Sequence, residues 1–251
     1  MAEISAKLEK ASESTGSLSS SDDTRGEPAI KHDNSQRRLI VVLENASIEA
    51  TPLINSRFES KLQLLNCDEH QSVLKRLGRD IADARPDIVH QCLLALLDSP
   101  LNKSGHLEVY IHTTQGVVIR INPECRIPRT IKRFSGLMCQ LLERGSIESR
   151  SGNPFKLLEI LPSPMQAHIP QNAHKIALSW NAPKVRLFKY FRDLDVDSRP
   201  LVVAVGAMAK GEDTFADSYA TTKIGVSNYA LSAAVACAKV CCALEDLWDI
   251  M

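Results

Sequence analysis

From residue 38 onward, apolar and polar positions fall into short bounded runs, whereas before it they do not. Arg38-Leu-Ile-Val-Val-Leu43 is continuously apolar after its first residue, the pattern of a strand bounded by polar residues. Residues 1–37 are rich in Ser, Lys and acidic side chains with almost no large apolar ones, which predicts a disordered tail and leaves 38–251 as one folded domain. Leu62 to Leu65 is a second apolar run, and Asp68 and Glu69 after it suit the first turn of a helix over about 69 to 82. Pro86 and Asp87 open the next helix, because proline is tolerated in a first turn and Asp there faces the positive end of the dipole. Ile88, Cys92, Leu93, Leu96 and Leu97 supply its buried face, Asp98-Ser-Pro100 ends it, and Asn102 to Gly105 reads as a loop.

His106 to His112 alternates, as does Val117 to Ile121, with Thr114-Gln-Gly116 between them, which predicts a β-hairpin. A third helix spans about 130 to 144, with Phe134, Leu137, Met138, Leu141 and Leu142 on one side. Ser151-Gly-Asn-Pro154 reads as a loop leading into a short amphipathic piece at 155 to 160. Lys175 to Trp180, Val185 to Leu194 and Leu201 to Val205 then read as strand, polar or helical connection, strand, and a long helix follows from about 230 to 248. Strands alternating with helices predict an α/β fold with a substantially parallel sheet, elaborated by the hairpin and its helix.

Composition bounds the function. With 44% hydrophobic residues in 251, the chain can bury a sizeable core, and its low aromatic content makes that core aliphatic. A formal net charge of zero excludes a wholly basic coat for nucleic acid, so any such surface must come from local segregation of charge. No apolar run approaches bilayer length, which predicts no membrane span, and the acidic residues Glu3, Glu9, Glu13, Asp22 and Asp23 argue against a transit peptide. The seven cysteines are an odd number, and Cys92, Cys139, Cys237, Cys241 and Cys242 fall in apolar, helix-like segments, so they are expected as reduced, buried thiols of an intracellular protein. Cys237, Cys241 and Cys242 have no nearby His pair, and no metal site is expected.

Two glycine-bearing loops near the C-terminus, Gly206-Ala-Met-Ala-Lys-Gly211 and Gly225-Val-Ser-Asn-Tyr-Ala-Leu231, each follow an apolar run. Such loops at strand ends are where α/β proteins commonly bind small molecules, and two purely structural turns are the plain alternative. The Gly206 to Gly211 spacing resembles half of a phosphate-cradling loop, but Glu212 and Asp213 stand where that motif needs Lys and Ser or Thr, and they would repel a triphosphate. No G-x-G-x-x-G run occurs, which removes the dinucleotide fingerprint. A cationic or neutral ligand suits these carboxylates better.

Positive charge concentrates in Arg126-Ile-Pro-Arg-Thr-Ile-Lys-Arg133, which runs from an extended stretch into a helix N-terminus. Guanidinium groups and backbone N–H groups can converge there on phosphates, although a solvated basic face has the same composition. In Arg85-Pro-Asp87, Arg85 either pairs structurally with Asp87 or contacts substrate, and His90 one turn later reads as a satisfied core histidine.

Leu64-Leu-Asn-Cys-Asp68, Gly78-Arg-Asp80, Ala84-Arg-Pro-Asp-Ile88, Leu97-Asp-Ser-Pro-Leu-Asn102, Arg126-Ile-Pro-Arg-Thr130, Arg133-Phe134, Gly136-Leu-Met138, Gly206-Ala-Met-Ala-Lys-Gly211 and Ser227-Asn-Tyr229 together resemble one family. It is the nucleolar, ribosome-biogenesis methyltransferases of the SPOUT class, which act on N1 of pseudouridine in small-subunit rRNA. The resemblance runs from about Arg38 to Met251 in many separated motifs kept in order. It implies an α/β SPOUT-type domain whose C-terminal part is threaded into a trefoil knot, a feature otherwise nearly absent from proteins. It also implies a homodimer, S-adenosylmethionine bound at the knot loops, and small-subunit rRNA or pre-rRNA as substrate, with no DNA. Small-subunit ribosomal proteins and assembly factors are the implied protein partners, and the nucleolus of the nucleus the implied location.

Carried onto matching positions, the family's cofactor contacts fall at Leu178, Gly206, Gly211, Glu212 and Asp213 and along Val226, Ser227, Asn228, Tyr229, Ala230 and Leu231. Its rRNA contacts fall at Arg85, Arg126, Arg129 and Arg133, with Asp87 either orienting Arg85 or accepting the N1 proton. Many relatives carry Leu and Pro where this chain has Val226 and Ala230, which makes the second loop less rigid here. The competing class is an rRNA-binding assembly factor whose essential work is not catalytic, and a third is a methyltransferase on a different RNA.

Overall fold

The computed structural model describes residues 37–54, 60–150 and 154–251; the predicted tail up to residue 36 and positions 151–153 of the predicted loop lie outside the described residues. The first apolar run forms β1 (Leu39–Ala46), which is followed by an antiparallel ribbon of β2 (Ala50–Ile54) and β3 (Ser60–Leu64). Helix α1 (Gln71–Arg76) is shorter than the expected span of 69 to 82. Its chain leaves the helix at Leu77-Gly78, and Asp80 then starts a separate 3₁₀ turn by accepting the Ala82 N–H at 2.9 Å. Helix α2 (Pro86–Leu97) begins at the predicted proline. Where a loop was expected from Asn102, α3 (Pro100–Lys103) forms instead, because Ser99 caps it by accepting the Asn102 N–H at 3.1 Å.

The predicted hairpin is β4 (Leu107–Thr113) and β5 (Val118–Ile121), and the third helix is α4 (Ile131–Arg144). The expected amphipathic piece at 155 to 160 is a strand, β7 (Lys156–Leu161), paired with β5 and with β6 (Ser146–Glu148). Six residues are too few for apolar spacing to separate strand from helix, so sheet pairing decided. The remainder follows as β8 (His174–Leu178), α5 (Leu187–Asp193), β9 (Leu201–Gly206), β10 (Thr222–Ile224) and α6 (Ala233–Trp248).

Eight strands form one sheet in the order β10-β8-β9-β1-β4-β5-β7-β6, parallel from β10 to β4 and antiparallel beyond. Leu39, Val41 and Leu43 point to the face covered by α2 and α6, while Ile40 and Val42 point to a second cluster with Tyr110, Met165 and Val202. Cys92, Cys237 and Cys241 are buried in the first face as expected, but Cys139 is half-buried and Cys242 is exposed. Position 242 lies about 100° round the helix from 241, which turns it away from the core. Burial pushes the Cys241 thiol up to about 12.

Glu44 shares the parity of Ile40 and Val42 and is only 1% exposed. Its carboxylate accepts from the Tyr219 hydroxyl at 2.6 Å and from His112 Nδ1 at 2.7 Å, and its backbone carbonyl accepts the Ala207 N–H at 2.7 Å. That hydrogen bond raises His112 above its ordinary value, and burial raises Tyr219. The network pins the chain on both sides of the segment from 207 to 219. Tyr219→Phe removes one partner of a buried carboxylate and is expected to cost about 1–3 kcal/mol of unfolding free energy, measured by urea denaturation.

Candidate active site

Three parallel strands, β8, β9 and β10, end on the same edge of the sheet, at Leu178, Gly206 and Ile224. The loops leaving those ends enclose a pocket of about 490 Å³. Each loop is tied locally. Ser179 follows β8, and its N–H donates to the Ile224 carbonyl at 2.9 Å. Its hydroxyl accepts from the N–H groups of Asn181 at 3.1 Å and Ala182 at 3.2 Å while donating to the Asp213 carboxylate. After β9, Gly211 adopts φ of +140°, a region L side chains rarely enter, and a Cβ there would lie 2.9 Å from Met208 Sδ. After β10, Gly225 runs against the 182–184 segment so closely that a Cβ would meet Lys184 Cδ at 2.5 Å and the Ala182 carbonyl at 2.9 Å. Ser232 then caps α6 by accepting the Val235 N–H at 3.3 Å, and the first turn of that helix closes the pocket.

The opposite wall is the start of α2. Arg85 donates to Asp87 through Nε and Nη2, both at 2.7 Å, in a bidentate pair. The Arg85 guanidinium holds the Asp87 carboxyl below the usual carboxylate range. A carboxylate so stabilised is a weak proton acceptor at neutral pH, so the geometry favours the orienting role for Asp87 over the base role. Arg126, Arg129 and Arg133 do not line the pocket; they are exposed around the N-terminus of α4, with Arg129 2.8 Å from Asp98. His90 joins the two regions, donating from Nε2 to the Pro128 carbonyl at 2.7 Å and stacking on Phe134 at 4.6 Å.

A family model described as EMG1/NEP1 methyltransferase matches residues 41–245. The chain belongs to the EMG1/NEP1 methyltransferase family. It is 51% identical over 220 residues to the ribosomal RNA small subunit methyltransferase NEP1 of Candida albicans, covering 87% of this chain and 81% of that one. Identity to the human protein of the same name is 46% over 215 residues, covering 86% and 84%. The Schizosaccharomyces pombe relative, small subunit methyltransferase mra1, is 50% identical over 88% of this chain, which spans 60% of that relative's length. The crystal structure of Archaeoglobus fulgidus Nep1 bound to S-adenosylhomocysteine superposes with a TM-score of 0.67 at 26% identity, covering 85% of this chain and 99% of that one.

Of the cofactor positions expected in this EMG1/NEP1 chain, Leu178, Gly206, Gly211, Asp213, Val226, Ser227, Tyr229 and Leu231 line the pocket, as does Arg85. Glu212, Asn228 and Ala230 do not; all three are exposed. Met208, inside the expected loop from Gly206 to Gly211, lines it too, whereas Ser179, Phe215 and Ile88 line it and were not anticipated. Ser179 directly follows a predicted strand, so a strand-end rule applied to β8 as it was to β9 would have found it. Phe215 carries no such signal, since an apolar residue in a loop reads as packing.

The Asp87 pair has a pH signature. A depressed carboxyl adds stability that is present above its unfolded value of about 3.9 and is lost as pH falls through the lower folded value. Asp87→Asn is therefore expected to lower the thermal midpoint at pH 7, and the two proteins converge as pH falls through the depressed value; thermal unfolding followed from neutral to strongly acidic pH measures both.

Proposed function

We propose that this chain transfers the methyl group of S-adenosylmethionine to N1 of a pseudouridine in small-subunit rRNA during small-subunit assembly. The observation that carries the reading is the pocket at the ends of β8, β9 and β10, built from the very loops expected to hold the cofactor and walled by Arg85. Its 490 Å³ falls in the ordinary range for small ligands, about 300–1,000 Å³. The donor set suits the group: Leu178, Ile88 and Val226 offer apolar contact, Asp213 offers a carboxylate already fixed by Ser179, and no phosphate-binding motif is present. The names of the relatives support small-subunit rRNA as the substrate class, and the S-adenosylhomocysteine held by the archaeal neighbour supports the cofactor.

When bound, S-adenosylmethionine supplies a methyl already activated by a cationic sulfur, so no metal and no covalent enzyme intermediate are needed. Pseudouridine is joined to ribose through carbon and keeps a free N1–H, which uridine lacks. The protein's task is to align N1 with the methyl, to exclude water and to let the N1 proton leave. In this reading Arg85, held rigid by Asp87, steers the target base, and Arg126, Arg129 and Arg133 grip the flanking phosphates. N1 would take the methyl as the S–C bond breaks, leaving S-adenosylhomocysteine, and the N1 proton would be lost to bulk water as the product departs.

The same reading threads the path from β8 to α6 through a trefoil knot, consistent with β9 lying inside β8 while β10 joins the outside. It pairs two copies over exposed apolar side chains near the pocket, Trp180, Tyr229, Leu231 and Val235. It locates the work in the nucleolus, beside small-subunit ribosomal proteins and assembly factors.

With labelled S-adenosylmethionine and matched rRNA hairpins, only the hairpin bearing pseudouridine is expected to take label; equal labelling of the uridine hairpin would overturn the N1 assignment. Arg129→Ala gives up only an exposed ion pair, worth at most about 1 kcal/mol of stability. Its RNA affinity is expected to fall, with a slope against log salt shallower by about one unit, in a binding series at increasing salt.

A further inference from the structure

A second cavity, of about 410 Å³, opens on the other side of the Arg85–Asp87 pair. Asp87 lines it while Arg85 lines the first pocket, so the two partners of the ion pair face different cavities. Its remaining walls are the end of β3, the Asn66 to His70 turn, Pro86 and the first turns of α4, immediately after the basic segment. It adjoins that segment through Ile131 and Lys132, and it gathers the Leu64 to Asp68 and Gly136 motifs, which the methyl-transfer reading leaves without a task.

Gly136 is the most informative wall residue. It is exposed in the middle of α4, where glycine costs about 0.5–1 kcal/mol relative to alanine. Its φ is not positive, and a Cβ built on it meets nothing within 4 Å among the described residues. Among those residues, neither backbone conformation nor packing calls for glycine there. What its absent side chain leaves open is the cavity.

We infer that this cavity is a subsite for the base of a nucleotide flanking the methylated one, and that it selects a base carrying an exocyclic amino group. The inference rests on RNA being the substrate. Ile131, 41% exposed, offers apolar surface to a ring face, and Lys132 at the same wall offers its charge to the phosphate. Asn66 is occupied, its Oδ1 accepting the N–H groups of Asp68 at 3.0 Å and Glu69 at 2.8 Å, so it fixes the turn that presents their carboxylates. Ionised carboxylates only accept hydrogen bonds, and an amino group of adenine, cytosine or guanine donates where uracil in the same orientation presents a carbonyl oxygen.

The test measures binding of full-length protein, saturated with S-adenosylhomocysteine, to the target hairpin. Flanking nucleotides are replaced one at a time by the analogue lacking the amino group. At one position wild type is expected to lose about tenfold in affinity. Gly136→Leu fills the cavity and is expected to lose as much on the intact hairpin and nothing further on that analogue, while Gly136→Ala, the thermal midpoint and S-adenosylhomocysteine affinity stay near wild type. Absence of any flanking preference in wild type, or an unchanged preference in Gly136→Leu, overturns the subsite. Unchanged hairpin binding by Gly136→Leu with lost binding of a lysine-rich peptide overturns it in favour of protein docking. Should Gly136→Leu not fold, Asp68→Asn carries the same comparison, with a changed preference expected. Because the readout is binding, failure of methyl transfer to pseudouridine leaves this result standing, and the reverse holds too.

Discussion

A carboxylate with 1% exposure sets the geometry on which the pocket depends. An uncompensated buried carboxylate costs several kcal/mol, so Glu44 is tolerable only with its partners in place, Tyr219 from beyond β9 and His112 from β4. These contacts cross from the middle strand of the sheet to the chain that leaves β9. The parallel register that sets Glu44 beside Gly206 supplies the third tie, through the Ala207 N–H. The first glycine loop is thereby anchored at its start and beyond its end, leaving its middle to shape the pocket.

Helix α2 then relates the pocket to the basic surface. Its first residues hold the Arg85–Asp87 pair on the pocket wall, and one turn later His90 fixes the backbone of Pro128 between Ile127 and Arg129. Because α2 is packed against α6, whose first turn closes the pocket, the pocket loops and the arginine segment share one reference. A methyl transfer between a small molecule and a polynucleotide needs such a reference, since reacting atoms must meet within a few tenths of an ångström.

The long apolar runs were legible in the chain. β1 and β9 are continuous apolar runs, α2, α4 and α6 each bury one face, and Pro86 and the hairpin turn mark boundaries by their own backbone chemistry. Short elements were not. β10 and β6 have three residues each, and β7 was read as amphipathic without a type; pairing with a distant strand is what makes them strands. The site divided similarly. Glycines at the ends of buried runs announced the two loops, whereas Ser179 and Phe215 became pocket residues only because three strand ends meet.

The sequence by itself determined the α/β class, the two glycine loops, the lack of a phosphate-loop Lys and Ser or Thr after Gly211, and the segregation of arginines at 126–133, because each rests on periodicity, residue identity, backbone conformation or local charge. Only the tertiary structure decided that Glu44 is buried against Tyr219 and His112, that Arg85 faces one cavity while Asp87 faces another, and that Gly136 opens onto the second. Those relations join residues up to 175 positions apart, and their energies exist only once the sheet register brings the groups within hydrogen-bonding distance.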